Sequence, residues 1–432
     1  MNYSSLYYSK VVSAEKAVLA IQSNTRVYLG GGAGVPIELM HAMVARAPEL
    51  RNVEIVHILT FADAPYTTEG MEESFRHNAL FIGHNVRSAV QAGRADFTPA
   101  FLSELPDLFR SGGTLPLDVA LISLSTPDEH GFCSFGVEVG TTKPAAEEAR
   151  IIIAEVNKQM PRTLGDSFIH ISRLSAIVEV DYEIPEAPQG GSSDLHMKVG
   201  QHIAGRIPDN ATLQMGIGSI PDAVLQNLTR HKDLGIHTEL FSDGVVDLVE
   251  RGVITCRRKS FHPGKIVAGF LFGSKRLYEF VHNNPIIELH PTDYVNNPFN
   301  IAQNDTMISI NSALSIDLTG QVCADSIGTK LYSGVGGQVD FVRGAARSKG
   351  GMPIIAFLST AKNDTLSRIM PTLPVGSGVV TSRNDVHYVA TEYGIASLHG
   401  KTLRQRAQEL INIAHPAFRD ELAYQARELG YL

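Results

Sequence analysis

The sequence predicts an α/β protein made of two similar, open, mainly parallel sheets. Three observations predict it. Short apolar runs alternate with amphipathic stretches along the whole chain, a glycine-rich turn occurs twice, and a second signal repeats at nearly the same offset. Helices cover both faces of a parallel sheet, so its strands read as brief, unbroken apolar runs with a helix between successive strands.

The elements follow in order. Residues 27–40 read VYLGGGAGVPIELM: a strand, a glycine turn, a proline, and a helix that the pattern extends over Ile37 to Ala47. Val53 to Leu59, Val119 to Leu124 and Ala176 to Val180 are the next apolar runs. Glu183 to Ser193 (EIPEAPQGGSS) is rich in Pro, Gly and Ser and reads as a linker. A helical pattern restarts at Asp194, and residues 212–225 (TLQMGIGSIPDAVL) repeat the strand, glycine turn and proline. Pro36 aligns with Pro221, 185 residues on. Residues 119–131 (VALISLSTPDEHG) match 308–320 (ISINSALSIDLTG), with Gly131 and Gly320 offset by 189. Ile354 to Leu358 and Val386 to Ala390 are later strands, and Lys401 to Ala414 a later helix. The expected domains are 1–185 and 194–432. Ligands bind at the carboxyl ends of such strands, so a cleft between the domains is the expected active site.

Composition narrows the function. The 432 residues are 44% apolar and 19% charged, with a net charge of −8 and no basic run, which fits large buried cores and excludes a nucleic-acid footprint. Cys133, Cys256 and Cys323 are far apart, so no disulfide framework or zinc site is expected, and the expected compartment is the cytoplasm. The segment MNYSSLYYSK lacks the apolar core of a signal peptide, and no stretch approaches the ~18 apolar residues of a membrane helix.

Three segments are candidates for chemistry. In Leu234 to Val249 (LGIHTELFSDGVVDLV) a strand runs into a turn and a helix, and Glu239 stands just before the turn, where an open sheet presents residues to a ligand. An edge carboxylate in a structural ion pair gives the same local pattern. In QMGIGSIP, Gly216 and Gly218 let the backbone approach an anion at a helix start, but the third glycine of a dinucleotide fingerprint is missing. In Ser333 to Phe341 (SGVGGQVDF) three glycines leave successive N–H groups free to hold a developing oxyanion. Other patterns are excluded. Gly394 to Thr402 (GIASLHGKT) misses the phosphate-loop spacing by one residue, and its Gly400-Lys401-Thr402 reads as a helix entry. There is no HExxH and no GxSxG, and the 16 His show no metal-binding spacing. His237, two residues from Glu239, reads as a core residue.

Together GGGAGVPIELM, QMGIGSIPDAV, HTELFSDGVVDL, SINSALSIDLTGQV, SGVGGQVDFVRGA and ATEYGIASLHGKT resemble the acetyl-CoA hydrolase/transferase family of class I CoA-transferases, over nearly the whole chain. The resemblance is strongest to 4-hydroxybutyrate and butyrate CoA-transferases. Succinate-type members are longer, which sets the resemblance against a succinate enzyme.

The resemblance implies that Glu239 is the catalytic carboxylate. It implies CoA contacts at Gly216, Ile217, Gly218, Ser219, Ile220, Gly334 and Gly337, with Asn311 and Lys362 as further contacts. It implies CoA as a substrate, a short-chain carboxylate such as acetate as acceptor, no metal, no tightly bound cofactor, and a homodimer. Two other readings stand beside transfer: an acetyl-CoA hydrolase using the same glutamate, and a non-catalytic CoA-binding sensor.

Overall fold

The computed structural model describes residues 3–188 and 190–432. Met1 and Asn2 of the N-terminal segment and Gln189 of the expected linker lie outside the described residues. The chain forms two compact units. One comprises Met1–Ala187 with Val267–Val295, and the other Pro188–Ile266 with Asn296–Leu432. The expected second domain, 194–432, is therefore interrupted: residues 267–295 cluster with the first unit.

In the first unit seven strands lie in the order Asp96–Phe97, Phe75–Ala79, Val53–His57, Arg26–Leu29, Val119–Leu124, Ile151–Asn157 and Ala176–Val180, all parallel. Val119–Leu124 is buried at every position, as a central strand covered on both faces must be.

In the second unit Gly235–Phe241, Thr212–Met215, Met307–Ser312, Met352–Ala356 and Tyr388–Thr391 are parallel neighbours in that order. Gly394–Ser397 adds an antiparallel edge. The helices Leu403–Asn412 and Pro416–Glu428 close this unit over a core that includes Ile316, Ile355, Phe357, Leu410 and Leu422.

The repeat seen in the sequence is a repeat of topology. In each sheet the unit's first strand lies between the second strand and a much later one: Arg26–Leu29 between Val53–His57 and Val119–Leu124, and Thr212–Met215 between Gly235–Phe241 and Met307–Ser312. Ligands of open parallel sheets bind at such a switch point, where the strand order reverses. Gly131 and Gly320 share a left-handed backbone, φ 85° and 95°. The helix at Gly400-Lys401-Thr402 starts as expected: Thr402 caps it, in a capping box with Gln405. Among the described residues no helix is long and apolar enough to cross a membrane.

Candidate active site

Glu239 sits near the carboxyl end of Gly235–Phe241, the only partly exposed residue of that otherwise buried strand. The strand is fixed by its neighbour: Thr212 pairs with Gly235 and Leu213 with Ile236. The buried Thr238 hydroxyl donates to Met215 O at 3.1 Å and Leu240 O at 2.9 Å, tying the Glu239 strand to the base of the Gly216 turn. On the same face His237 is fully buried against Phe261 and Phe341, a core residue as expected.

Two groups hold the Glu239 carboxylate. Asn296 Nδ2 donates to Glu239 Oε2 at 3.0 Å, and the Gly337 backbone N–H also favours the ionised form. Burial outweighs both and raises the Glu239 pKa above the ordinary carboxylate value. Asn296 is fully buried, and its Oδ1 has no hydrogen-bond partner among the described residues. Gly337 is glycine because of close approach, not backbone angle: its φ is −94°, but a Cβ there would lie 1.9 Å from Glu239 Oε2 and 2.2 Å from Asn296 Nδ2.

Helix packing brings these donors together. Asn297 caps the short helix Pro298–Ala302, which leaves Asn296 just outside its start. Gly337 caps Gln338–Arg347. The two helices touch where a Cβ on Gly344 would lie 2.5 Å from Ile301 side-chain carbons, so the glycine permits the contact.

The turn Gly216 to Ile220 and Asn311 lie at the carboxyl ends of Thr212–Met215 and Met307–Ser312. Gly218, with φ 113°, precedes helix Ser219–Asn227; Cβ atoms at Gly216 or Gly218 would meet nothing within 4 Å. Ile217 is exposed on this turn, Ser219 is partly buried, and Ile220 is buried beneath it. Asn311, next to last in Met307–Ser312, pairs with Gln214, next to last in Thr212–Met215. Asn311 Nδ2 donates to Gln214 Oε1 at 3.2 Å, and Gln214 Oε1 also accepts from Ile310 N at 3.1 Å. Gly334 is buried upstream of Gly337. Lys362 lies on a separate hairpin, exposed, at φ 51°. The structure thus joins Glu239 to Gly337 and Asn311 to Gln214, and leaves Lys362 apart. Asn296 and Gln214 were not singled out from sequence.

Comparison with known proteins places the chain in a family. Residues 1–187 match the N-terminal domain and residues 273–426 the C-terminal domain of acetyl-CoA hydrolase/transferase. A 4-hydroxybutyrate coenzyme A transferase of Clostridium kluyveri is 54% identical over 98% of each chain. The chain belongs to the acetyl-CoA hydrolase/transferase family. Its activity is that of a CoA-transferase.

Other members of the family are close as well. A succinyl-CoA:acetate/propanoyl-CoA:succinate CoA transferase of Fasciola hepatica is 48% identical over 93% of this chain and 84% of that one. A butyryl-CoA:acetate CoA-transferase of Anaerostipes caccae is 37% identical over 99% and 98%. Among solved structures, a 4-hydroxybutyrate CoA-transferase from Porphyromonas gingivalis superposes with a TM-score of 0.86 at 46% identity, covering 99% of this chain and 100% of that one.

Proposed function

We propose that the enzyme moves CoA from 4-hydroxybutyryl- or butyryl-CoA to a small carboxylate such as acetate, with Glu239 as the covalent carrier. The observation that carries this reading is the Glu239 carboxylate itself: desolvated, still partly open to solvent, and gripped at Oε2 by Asn296.

The steps balance without a metal or a redox partner. Glu239 attacks the thioester carbonyl, the C–S bond breaks, and an acyl-glutamyl anhydride and CoA thiolate form. The thiolate attacks the Glu239 carbonyl carbon and the first acid leaves as its carboxylate, giving a glutamyl-CoA thioester. The acceptor carboxylate then reverses both steps, so the thioester bond is conserved in ping-pong fashion. When thiolate or acceptor adds to the Glu239 carbonyl, Oε2 becomes the oxyanion. Asn296 Nδ2 already points at it, a donor in place before charge develops. In the same reading no cofactor is tightly bound, CoA enters and leaves as substrate, and the protein is a cytoplasmic homodimer. The relative named for succinyl-CoA keeps that donor in the comparison set for acyl specificity.

Borohydride trapping tests the carrier. After incubation with butyryl-CoA, reduction of a glutamyl thioester to an alcohol lowers the mass of the Glu239 peptide by about 14 Da. The shift is expected in the wild type and not in Glu239→Gln. Turnover without the shift overturns the mechanism. CoA release that does not require an acceptor acid identifies a hydrolase instead.

A further inference from the structure

Among the described residues Arg368 is a cation that no side chain hydrogen-bonds or ion-pairs. It lies at the base of a hairpin in the second unit, where Thr360 pairs with Ser367 and Ala361 with Leu366. Its backbone N–H donates to Ser359 O at 2.8 Å, which places it at the carboxyl end of the Met352–Ala356 strand. Its side chain is partly buried, and burial holds the guanidinium pKa below its ordinary value. Among the described residues the guanidinium makes no hydrogen bond and no ion pair. The acid facing it, Glu392, is committed elsewhere: Ser359 N donates to one of its oxygens at 2.9 Å and Ser359 Oγ to the other at 2.5 Å. Tyr332 also faces the guanidinium. So does His196, whose Nδ1 is occupied by the Ser193 capping box. Arg368 and the imidazole of His196, whose pKa burial and Arg368 lower, therefore converge beside one carboxylate that is already bonded to Ser359. A desolvated, unpaired guanidinium is unfavourable, and a planar fork of donors suits phosphate oxygens.

A second cation lies on the same hairpin. Lys362 is exposed at its tip, and its ammonium has no partner among the described residues. Lys362, Asn363 and Asp364 are consecutive left-handed residues, φ 51°, 54° and 62°. The tip is held by Thr360 Oγ1 on Asp364 at 2.5 Å and Thr365 Oγ1 on Lys362 O at 2.7 Å. Backbone strain of this kind persists where the surroundings impose it, and such places cluster at ligand clamps.

The spacing fits one substrate. The strand ending near Ser359 lies three places along the sheet from the Glu239 strand, roughly 14 Å at the usual separation. The pantetheine arm of CoA has about thirteen bonds from sulfur to the first phosphorus, a little over four residues' worth of chain, roughly 15 Å extended. A thiol at Glu239 thus puts the phosphates beside Arg368, with the arm running past the open Gly216 turn and Asn311.

We propose that Arg368, with His196 beside it, binds the phosphates of the CoA thioester that Glu239 processes. This rests on the transfer reading given above. The test compares two acyl donors in wild type and Arg368→Ala: a full CoA thioester, and the matching pantetheine thioester, which has no phosphate. The ratio of their kcat/KM values is expected to fall at least tenfold in the variant, through KM for the CoA donor, and Arg368→Lys is expected to recover part of it. An unchanged ratio overturns the assignment, because a structural loss lowers both donors together. The dephospho-CoA thioester separates the two phosphate sources. A loss that persists with it assigns the pyrophosphate, and a loss that disappears assigns the 3′-phosphate; either supports the anchor. If wild type turns over neither donor, the transfer reading fails. Equilibrium dialysis of CoA then decides the anchor: tenfold weaker binding by Arg368→Ala supports it, and equal binding overturns it.

Discussion

The two glycine turns began as one sequence signal and have opposite surroundings. In the first unit the turn after Arg26–Leu29 is filled by its own unit. A Cβ on Gly31 would lie 2.6 Å from Ile58 Cγ1, and one on Gly34 would lie 3.3 Å from the Glu138 Cβ. Glu138 is buried there, accepting from the backbone N–H groups of Thr141 and Thr142. In the second unit the turn after Thr212–Met215 has open space around Gly216 and Gly218. A repeated glycine turn is therefore a statement about fold. Whether it serves a ligand depends on what fills the space beside it.

That contrast can be broken or sharpened by substitution. The largest effect is expected at Gly337→Ala, where the new methyl displaces the Glu239 carboxylate and the Asn296 amide together. We expect kcat to fall about a thousandfold with an unchanged circular dichroism spectrum; near-normal turnover would show that the carboxylate works from another position. Asn296→Ala comes next, with a loss of about a hundredfold in kcat. Its pH profile carries the sign. Asn296 lowers the Glu239 pKa, so its removal should move the acid limb of kcat/KM to higher pH, since the protonated carboxyl is not a nucleophile.

Gly31→Ala and Gly216→Ala test the two turns directly. Overpacking against the buried Ile58 should destabilise the first by about 1–3 kcal/mol in urea unfolding. The second should change stability by less than about 0.5 kcal/mol and instead raise the KM for acyl-CoA. Equal melting losses for the two would erase the distinction.

The smallest effect concerns pH and the first unit alone. His57 and His77 are buried and stacked at 4.1 Å, with His57 Nε2 2.6 Å from the Tyr66 hydroxyl. Burial lowers the His57 pKa from 6.5 to about 4 and holds His77 well below 6.5. The unfolded chain takes up these protons below pH 6.5 and the fold does not. Stability from the pair is thus whole above pH 6.5 and is lost as pH falls toward 4. Buried Glu138 and Glu155, raised to about 7, act in the opposite sense: their contribution is whole below pH 4.5 and is lost as pH rises through 7. In His77→Gln the unfolding free energy from urea titrations should fall less steeply between pH 6.5 and 5 than in wild type, by at most about 1.4 kcal/mol per pH unit.

Much of this was legible in the sequence because it is local. Val119–Leu124 was read to the residue, and Glu239 was found because a strand, a turn and a helix follow one another around it. Asn296 was not legible. It stands 57 positions from Glu239, its Asn-Asn-Pro context reads as an ordinary helix cap, and only the Gly344–Ile301 helix contact brings it beside the carboxylate. The Gly-rich run near 334 was visible as a donor loop, but which glycine meets Glu239 is decided by the start of helix Gln338–Arg347. The Gln214–Asn311 pair needs strand order, since neither residue type marks a site by itself.

The tip of the 360–367 hairpin bears on protein engineering. Of its three consecutive left-handed residues, Asn363 and Asp364 are types that tolerate this geometry, whereas Lys362 costs roughly 1–2 kcal/mol that glycine would not. A screen for thermal stability should therefore select Lys362→Gly early. The variant it returns would be firmer and would have lost its ammonium; if Lys362 contacts CoA as the resemblance implies, heat resistance and hold on the substrate compete at this tip.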